Sequence, residues 1–143
     1  MSQYCTFVLD GHVFGVPVSS VQEVLRAQAL TSVPLAPPEV AGLLNLRGQI
    51  VTSLELRERL GLPPRPADAP SVNVVVKTAD GSAVSLVVDE IGDVIEPPRE
   101  AFEAPPETVP TSVRALVSGV CKLERQLMLL LDTERAAHVH DLV

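Results

Sequence analysis

The stretch 40-VAGLLNLRGQIVTSLELRERLGL-62 decides how the rest of the chain reads. Apolar residues fill two arms, Val40 to Leu46 and Gln49 to Leu54, on either side of Arg47-Gly48. This pattern predicts a hairpin buried on most sides, followed by a short helical turn that Gly61 stops. Asn45 and Arg47 interrupt the apolar pattern. A carboxamide and a guanidinium beside a glycine turn are presented rather than packed, because such groups are rarely buried without partners.

The same apolar, β-branched character runs through all 143 residues. Apolar residues make up 46% and charged residues 20%, the balance of a folded chain and not of a disordered one. With 13 prolines and short apolar runs, the composition favours an all-β chain with few helices. A formal net charge of −7 disfavours nucleic acid and anionic membranes as partners, since both are held by Lys and Arg. The segment MSQYCTFVL lacks the basic region and long apolar core of a signal peptide, and the run Leu127 to Leu131 is too short to cross a bilayer. Cys5 and Cys121 fall on predicted strands and read as reduced core residues. The expectation is a cytoplasmic protein without direct membrane insertion.

Outward from the hairpin, Tyr4 to Leu9 and His12 to Val16 form a first hairpin around Asp10-Gly11. His12 is expected to face solvent. Ser20-Val21-Gln22-Glu23 fits a capping box and predicts a short helix to about Leu25. Leu30 to Val33 is a candidate strand, and the three prolines of Pro34 to Glu39 make a loop. The proline-rich stretch 63–70 is the expected boundary between halves. Beyond it, Val72 to Thr78 and Ala83 to Val88 flank Asp80-Gly81, and Ile91 to Ile95 extends the run. Pro97 to Pro110, with Glu100, Glu103 and Glu107, reads as an exposed acidic loop. Val113 to Val120 and Leu127 to Leu131 make a last hairpin, and a helix capped by Asp132 or Thr133 opens the tail.

The halves repeat. Asp10-Gly11 followed by Val21 to Val24 returns about 70 residues later as Asp80-Gly81 followed by Ile91 to Val94. VAGLLNLRGQIVTSL aligns with VSGVCKLERQLMLLL, pairing Val40 with Val117, Gly42 with Gly119, Leu46 with Leu123, Gln49 with Gln126 and Leu54 with Leu131. Two small barrels on one plan are predicted, one over 4–62 and one over 71–137.

Motifs of catalysis are missing: there is no His-Glu-x-x-His, Gly-x-Ser-x-Gly, P-loop or Gly-x-Gly-x-x-Gly. His138 and His140 have no third convergent ligand, and the cysteines lack a metal spacing. Asp89-Glu90 and Glu55/Glu58 read as solvated charges and not as an acid–base pair. No cofactor, metal or catalytic residue is expected. The class that remains is a binding module, for which Arg47 is the natural contact. Its competing reading is an intramolecular ion pair with Glu23 or Glu55.

The segment GLLNLRGQIVTSLELRERLGL resembles the signature of the CheW family, adaptors that couple chemoreceptors to the histidine kinase CheA. Gly42, Asn45, Leu46, Arg47, Gly48, Leu56 and Arg57 match the family pattern. Thr52 stands where the family usually has proline, and Glu55 where it usually has aspartate. FVLDGHVFGVPVSSVQEVLR and AVSLVVDEIGDVIEPP are similar to further family segments, so the resemblance spans nearly the whole chain as one CheW-like domain. It implies an all-β fold of two five-stranded, SH3-like β-barrels packed around a shared apolar seam, with short helices. It also implies a non-catalytic scaffold in chemosensory signalling, with a chemoreceptor cytoplasmic tip and the regulatory domain of a CheA-type kinase as partners. Carried over position by position, the receptor site comprises Val21, Glu23, Gly42, Asn45 and Arg47, and the resemblance tips Arg47 toward the interface. The alternative is a CheW-like protein recruited to another partner, such as a small GTPase or motility regulator, without a kinase.

Overall fold

The computed structural model describes residues 2–26 and 28–138. Its strands are β1 (Tyr4–Leu9), β2 (His12–Pro17), β3 (Val21–Arg26), β4 (Val40–Leu46), β5 (Gln49–Glu55), β6 (Val72–Lys77), β7 (Ala83–Val88), β8 (Glu90–Ile95), β9 (Phe102–Glu103), β10 (Val117–Lys122) and β11 (Leu127–Leu131). Three short helices interrupt them: α1 (Leu56–Leu60), α2 (Thr111–Arg114) and α3 (Thr133–Ala136). The all-β expectation holds. The strands form a six-stranded sheet, β8-β1-β2-β11-β10-β9, and a five-stranded sheet, β3-β6-β7-β5-β4.

Register makes the internal repeat concrete. β6, β7, β3, β5 and β4 stand in the second sheet where β1, β2, β8, β11 and β10 stand in the first. The parallel pairs correspond, Thr52 with Val84 and Leu129 with Phe14. So do the hairpin pairs Leu43 with Thr52 and Val120 with Leu129, and the bulges after Val40 and after Val117. Neither sheet is confined to 4–62 or to 71–137, however. Each hairpin β1–β2 or β6–β7 pairs with strands from beyond the other hairpin. A parallel neighbour cannot be reached through a tight turn: between β2 and β11 the chain passes through the opposite sheet, and between β5 and β7 it passes through α1, the 63–70 connection and β6.

Exchange of hairpins explains the core. Cys5, Phe7, Leu9, Phe14 and Val16 of the first sheet pack in one cluster with Leu54, Val74, Val76, Val84, Leu86 and Val88 of the second, joined by Leu56 and Leu60 of α1. This is the shared apolar seam. Phe7 and Phe14 stack at its centre with ring centroids 6.0 Å apart. A smaller cluster of Leu44, Leu46, Val51 and Val75 fills the second barrel.

Local expectations fared unevenly. The helix expected from Ser20 to about Leu25 is instead strand β3, preceded by a 3-10 turn at Val18–Ser20 without a side-chain cap. The capping pattern is a local preference, and antiparallel pairing of β3 with β6 overrides it. Leu30 to Val33 yields an isolated bridge between Thr31 and Leu43 in place of a strand. Pro97 to Pro110 contains a 3-10 turn at Arg99–Ala101 and strand β9, which pairs with β10, so it is more than an open loop. Glu55 caps α1, and Asp132 caps α3, by accepting backbone N–H bonds. His12 is exposed, Cys5 and Cys121 are buried free thiols, and His140 lies outside the described residues.

Candidate functional site

The turn between β4 and β5 is built by three neighbours. Arg47 and Gly48 both take positive φ, 51° and 89°, which is the two-residue turn whose twist matches a hairpin. The Asn45 side-chain oxygen accepts the Gly48 N–H at 2.9 Å and locks the turn. Arg47 is thereby projected outward, its side chain 70% exposed. Its guanidinium meets Glu23 of β3 in a two-pronged contact, Nη1 to Oε1 at 2.9 Å and Nη2 to Oε2 at 2.6 Å. The hydrogen bond from Arg47 holds the Glu23 carboxyl below the usual carboxylate range, against a small opposing effect of burial. Of the two candidate partners within the chain, Arg47 takes Glu23; Glu55 is engaged by Arg65.

β3 and β4 are the two edges of the five-stranded sheet, so the pair spans the seam where that sheet curls on itself. The Thr31–Leu43 bridge closes the same seam, with both backbone N–H groups donating across it, at 2.9 and 2.8 Å. Gly42 makes this approach possible: a Cβ there would stand 2.7 Å from the Thr31 carbonyl oxygen. At Gly119, its counterpart, a Cβ would stand 3.0 Å from the Glu103 carbonyl oxygen of β9.

The five residues expected at the site therefore divide. Glu23, Asn45 and Arg47 meet at one accessible corner. Gly42 is buried and Val21 is half-buried against the shared core, so both support the corner from beneath. One exposed apolar residue lies beside it: Ile50, 62% exposed and directly opposite Asn45, whereas Val24 alternates with Glu23 along β3 and lines a separate hollow with Arg26, Val72 and Ile91. Sequence reading missed Ile50, because a largely apolar arm does not by itself distinguish inward from outward positions.

A second polar cluster was also missed. Asp89, read from sequence as a solvated charge, is the hub of an ionic knot. Arg57 of α1 donates to its two oxygens at 3.0 and 2.6 Å, Arg65 donates at 2.9 Å, and the Asp10 N–H donates at 2.8 Å. Arg65 also reaches Glu55 at 2.8 Å, and Arg57 donates to the Pro63 carbonyl. Burial works against ionising Asp89, yet these hydrogen bonds outweigh it and hold its pKa below the ordinary value. The knot fastens the 63–70 connection and α1 to the corner between β7 and β8. The available signal was an arginine between buried leucines in LEL-R-ERL, a position where a charge needs a partner.

A family profile described as the CheW-like domain matches residues 3–140. The chain belongs to the CheW-like family. Among proteins similar to this CheW-like chain is the chemotaxis protein CheW of Bacillus subtilis, 29% identical over 126 residues, covering 88% of this chain and 80% of that one. The chemotaxis protein CheW of Klebsiella aerogenes is 27% identical over 133 residues, covering 93% and 80%. The crystal structure of the scaffolding protein TtCheW from Thermoanaerobacter tengcongensis superposes with a TM-score of 0.85 at 26% identity, covering 97% of this chain and 89% of that one. The two-barrel, SH3-like architecture is consistent with that neighbour, which is itself described as a scaffolding protein. Among the described residues, no helix is long and apolar enough to cross a membrane.

Proposed function

We propose that this chain is a non-catalytic chemotaxis adaptor that couples the cytoplasmic tips of chemoreceptors to the regulatory domain of a CheA-type histidine kinase. The observation that carries the reading is the accessible Glu23–Asn45–Arg47 corner with the exposed Ile50 beside it. An amphipathic helix of a receptor tip lays its apolar face over Ile50, beside the turn, as helix recognition by an apolar contact requires. Arg47, pre-positioned by Glu23, then supplies directional donors to carboxylates or carbonyls of that helix. The turn is held before binding, so little side-chain entropy is lost on contact. The adaptor acts by position: one surface takes the receptor, another takes the kinase domain, and no bond is made or broken.

Calorimetric titration with a receptor-tip fragment, and separately with the kinase regulatory domain, tests this. Binding to both at about micromolar affinity is expected for a specific contact of this kind. Arg47→Glu is expected to weaken receptor binding at least tenfold while kinase binding and the circular dichroism spectrum stay unchanged. Undiminished receptor binding in that variant would remove the corner from the interface.

A further inference from the structure

A different hollow, lined by none of Glu23, Asn45 and Arg47, opens on the six-stranded sheet where the chain passes from β8 to β9. It measures about 350 Å³, and Tyr4, Pro97, Arg99 and Phe102 line it together with Ser2. Tyr4 and Phe102 face each other as a tilted ring pair with centroids 5.6 Å apart. Pro97 and Pro98 lead into the 3-10 turn that carries Arg99, so the arginine is set by a stiff segment.

Arg99 is exposed and its guanidinium, among the described residues, makes no ion pair or hydrogen bond, although Glu96 and Glu100 are its near neighbours in sequence. Most other cations of this chain are tied down. Arg47, Arg57, Arg65, Lys122 and Arg135 hold carboxylates, and Arg59 and Arg114 hold backbone carbonyls. In a protein with seven net negative charges, an arginine left unpaired at the mouth of an aromatic hollow is unusual.

We propose that this hollow binds a peptide carboxylate with an aromatic side chain next to it. The guanidinium fork of Arg99 matches a carboxylate in two-pronged geometry, and the Tyr4 and Ser2 hydroxyls stand ready to donate to it. The Tyr4 and Phe102 rings and Pro97 offer flat apolar surface to the neighbouring ring, where offset or edge-to-face contacts add to area burial. Among the described residues, Arg99 is the one cation lining the hollow, with Glu96 and Glu100 beside it in sequence, so within it a carboxylate is drawn to Arg99, and the aromatic neighbour is what separates a true ligand from any acidic peptide. The carboxylate can come from an acidic side chain or from a chain terminus.

Two probes distinguish these sources: N-acetyl-Trp-Glu-amide, which carries only a side-chain carboxylate, and N-acetyl-Gly-Trp, which carries only a terminal one. Each is titrated into the full-length ¹⁵N-labelled chain and followed by amide shifts. At least one is expected to produce saturable shifts at Arg99 and Phe102, with a dissociation constant of about a millimolar or below. Arg99→Gln, a change on an exposed turn, should weaken that binding roughly tenfold, the loss of a two-pronged charge-assisted contact. N-acetyl-Trp-amide, lacking any carboxylate, should bind the wild-type chain as weakly as the charged probes bind the variant. Binding of one charged probe assigns the source, and binding of both supports a site that reads the shared group. No saturable shift with either probe overturns the proposal. So do shifts unchanged by Arg99→Gln, and shifts confined to other parts of the surface.

Discussion

Arg47 occupies a backbone region that a non-glycine residue enters at a cost, φ 51°. The chain holds it there because Asn45 bonds to Gly48 on one side and Glu23 grips the guanidinium on the other. That conformation is what the two-residue turn between β4 and β5 demands of its first position. Asp89 illustrates the opposite use of charge, as an internal fastener. Asp89→Asn should destabilise the fold by about 2–4 kcal/mol at neutral pH, because two arginines lose a charged partner in a largely buried place. The folded-state pKa of Asp89 lies below its unfolded value, so this contribution is fully present above the unfolded value of about 3.9 and disappears as pH falls through the folded value. Denaturant melts of both proteins should therefore differ by a constant amount from neutrality down to about pH 5 and converge in stronger acid. A difference that persists undiminished into strong acid would place the effect in packing and not in charge. Asn45 and Arg47 were legible from sequence because each is polar within an apolar run. Asp89 was not, since its partners Arg57 and Arg65 lie 32 and 24 residues away, one of them inside a proline-rich stretch that reads as linker.

At the level of elements, the closing seam of the five-stranded barrel depends on one missing side chain. Gly42 lets the backbone at Thr31 come close enough to exchange two hydrogen bonds with Leu43. In Gly42→Ala the added carbon would meet backbone at 2.7 Å, and backbone cannot swing aside as a side chain can. We expect a loss of about 2–3 kcal/mol, by strain at a special position, and faster amide exchange at Thr31 and Leu43. Because the seam carries the Glu23–Arg47 pair, receptor affinity should fall along with it under the proposed function, although Gly42 is buried within this chain. Hydrogen-exchange protection at Leu43 equal to wild type would refute this role. β3 lies on the other side of the seam, and here sequence reading failed for a physical reason. Ser20 to Glu23 satisfies a helix-start pattern residue by residue, yet Val21, Glu23 and Leu25 alternate in burial with Gln22, Val24 and Arg26. That period of two could be read as a strand only by knowing that β6 was free to pair with it.

For the molecule as a whole, the internal repeat was legible as two matching halves, but the assignment of strands to barrels was not. Composition and spacing carry no information on which hairpin pairs with which neighbour. The structure resolves it through exchange: β1–β2 is held by β8 and β11, and β6–β7 by β3 and β5. The shared core follows from that exchange, since Phe7, Phe14 and Val16 are buried against Leu54, Val74 and Leu86. A fragment of residues 1–62 therefore contains β1 and β2 without their flanking partners, and β3, β4 and β5 without the central hairpin that joins them. A fragment of 71–143 is incomplete in the mirrored sense. Neither should bury enough apolar surface to offset chain entropy, so each alone should give a disordered spectrum and no cooperative melt. Mixed in equal amounts, they should recover the strand signal of the intact chain and a concentration-dependent melting temperature, because folding has become association. If the first fragment folded cooperatively by itself, each barrel would be a sequential unit over 4–62 and 71–137 and the exchanged pairing would be wrong. The 63–70 connection, absent from both fragments, should nonetheless matter beyond its length in the intact chain. Arg65 within it fastens Glu55 to Asp89, so a glycine–serine linker of equal length should join the halves yet melt earlier than the native chain.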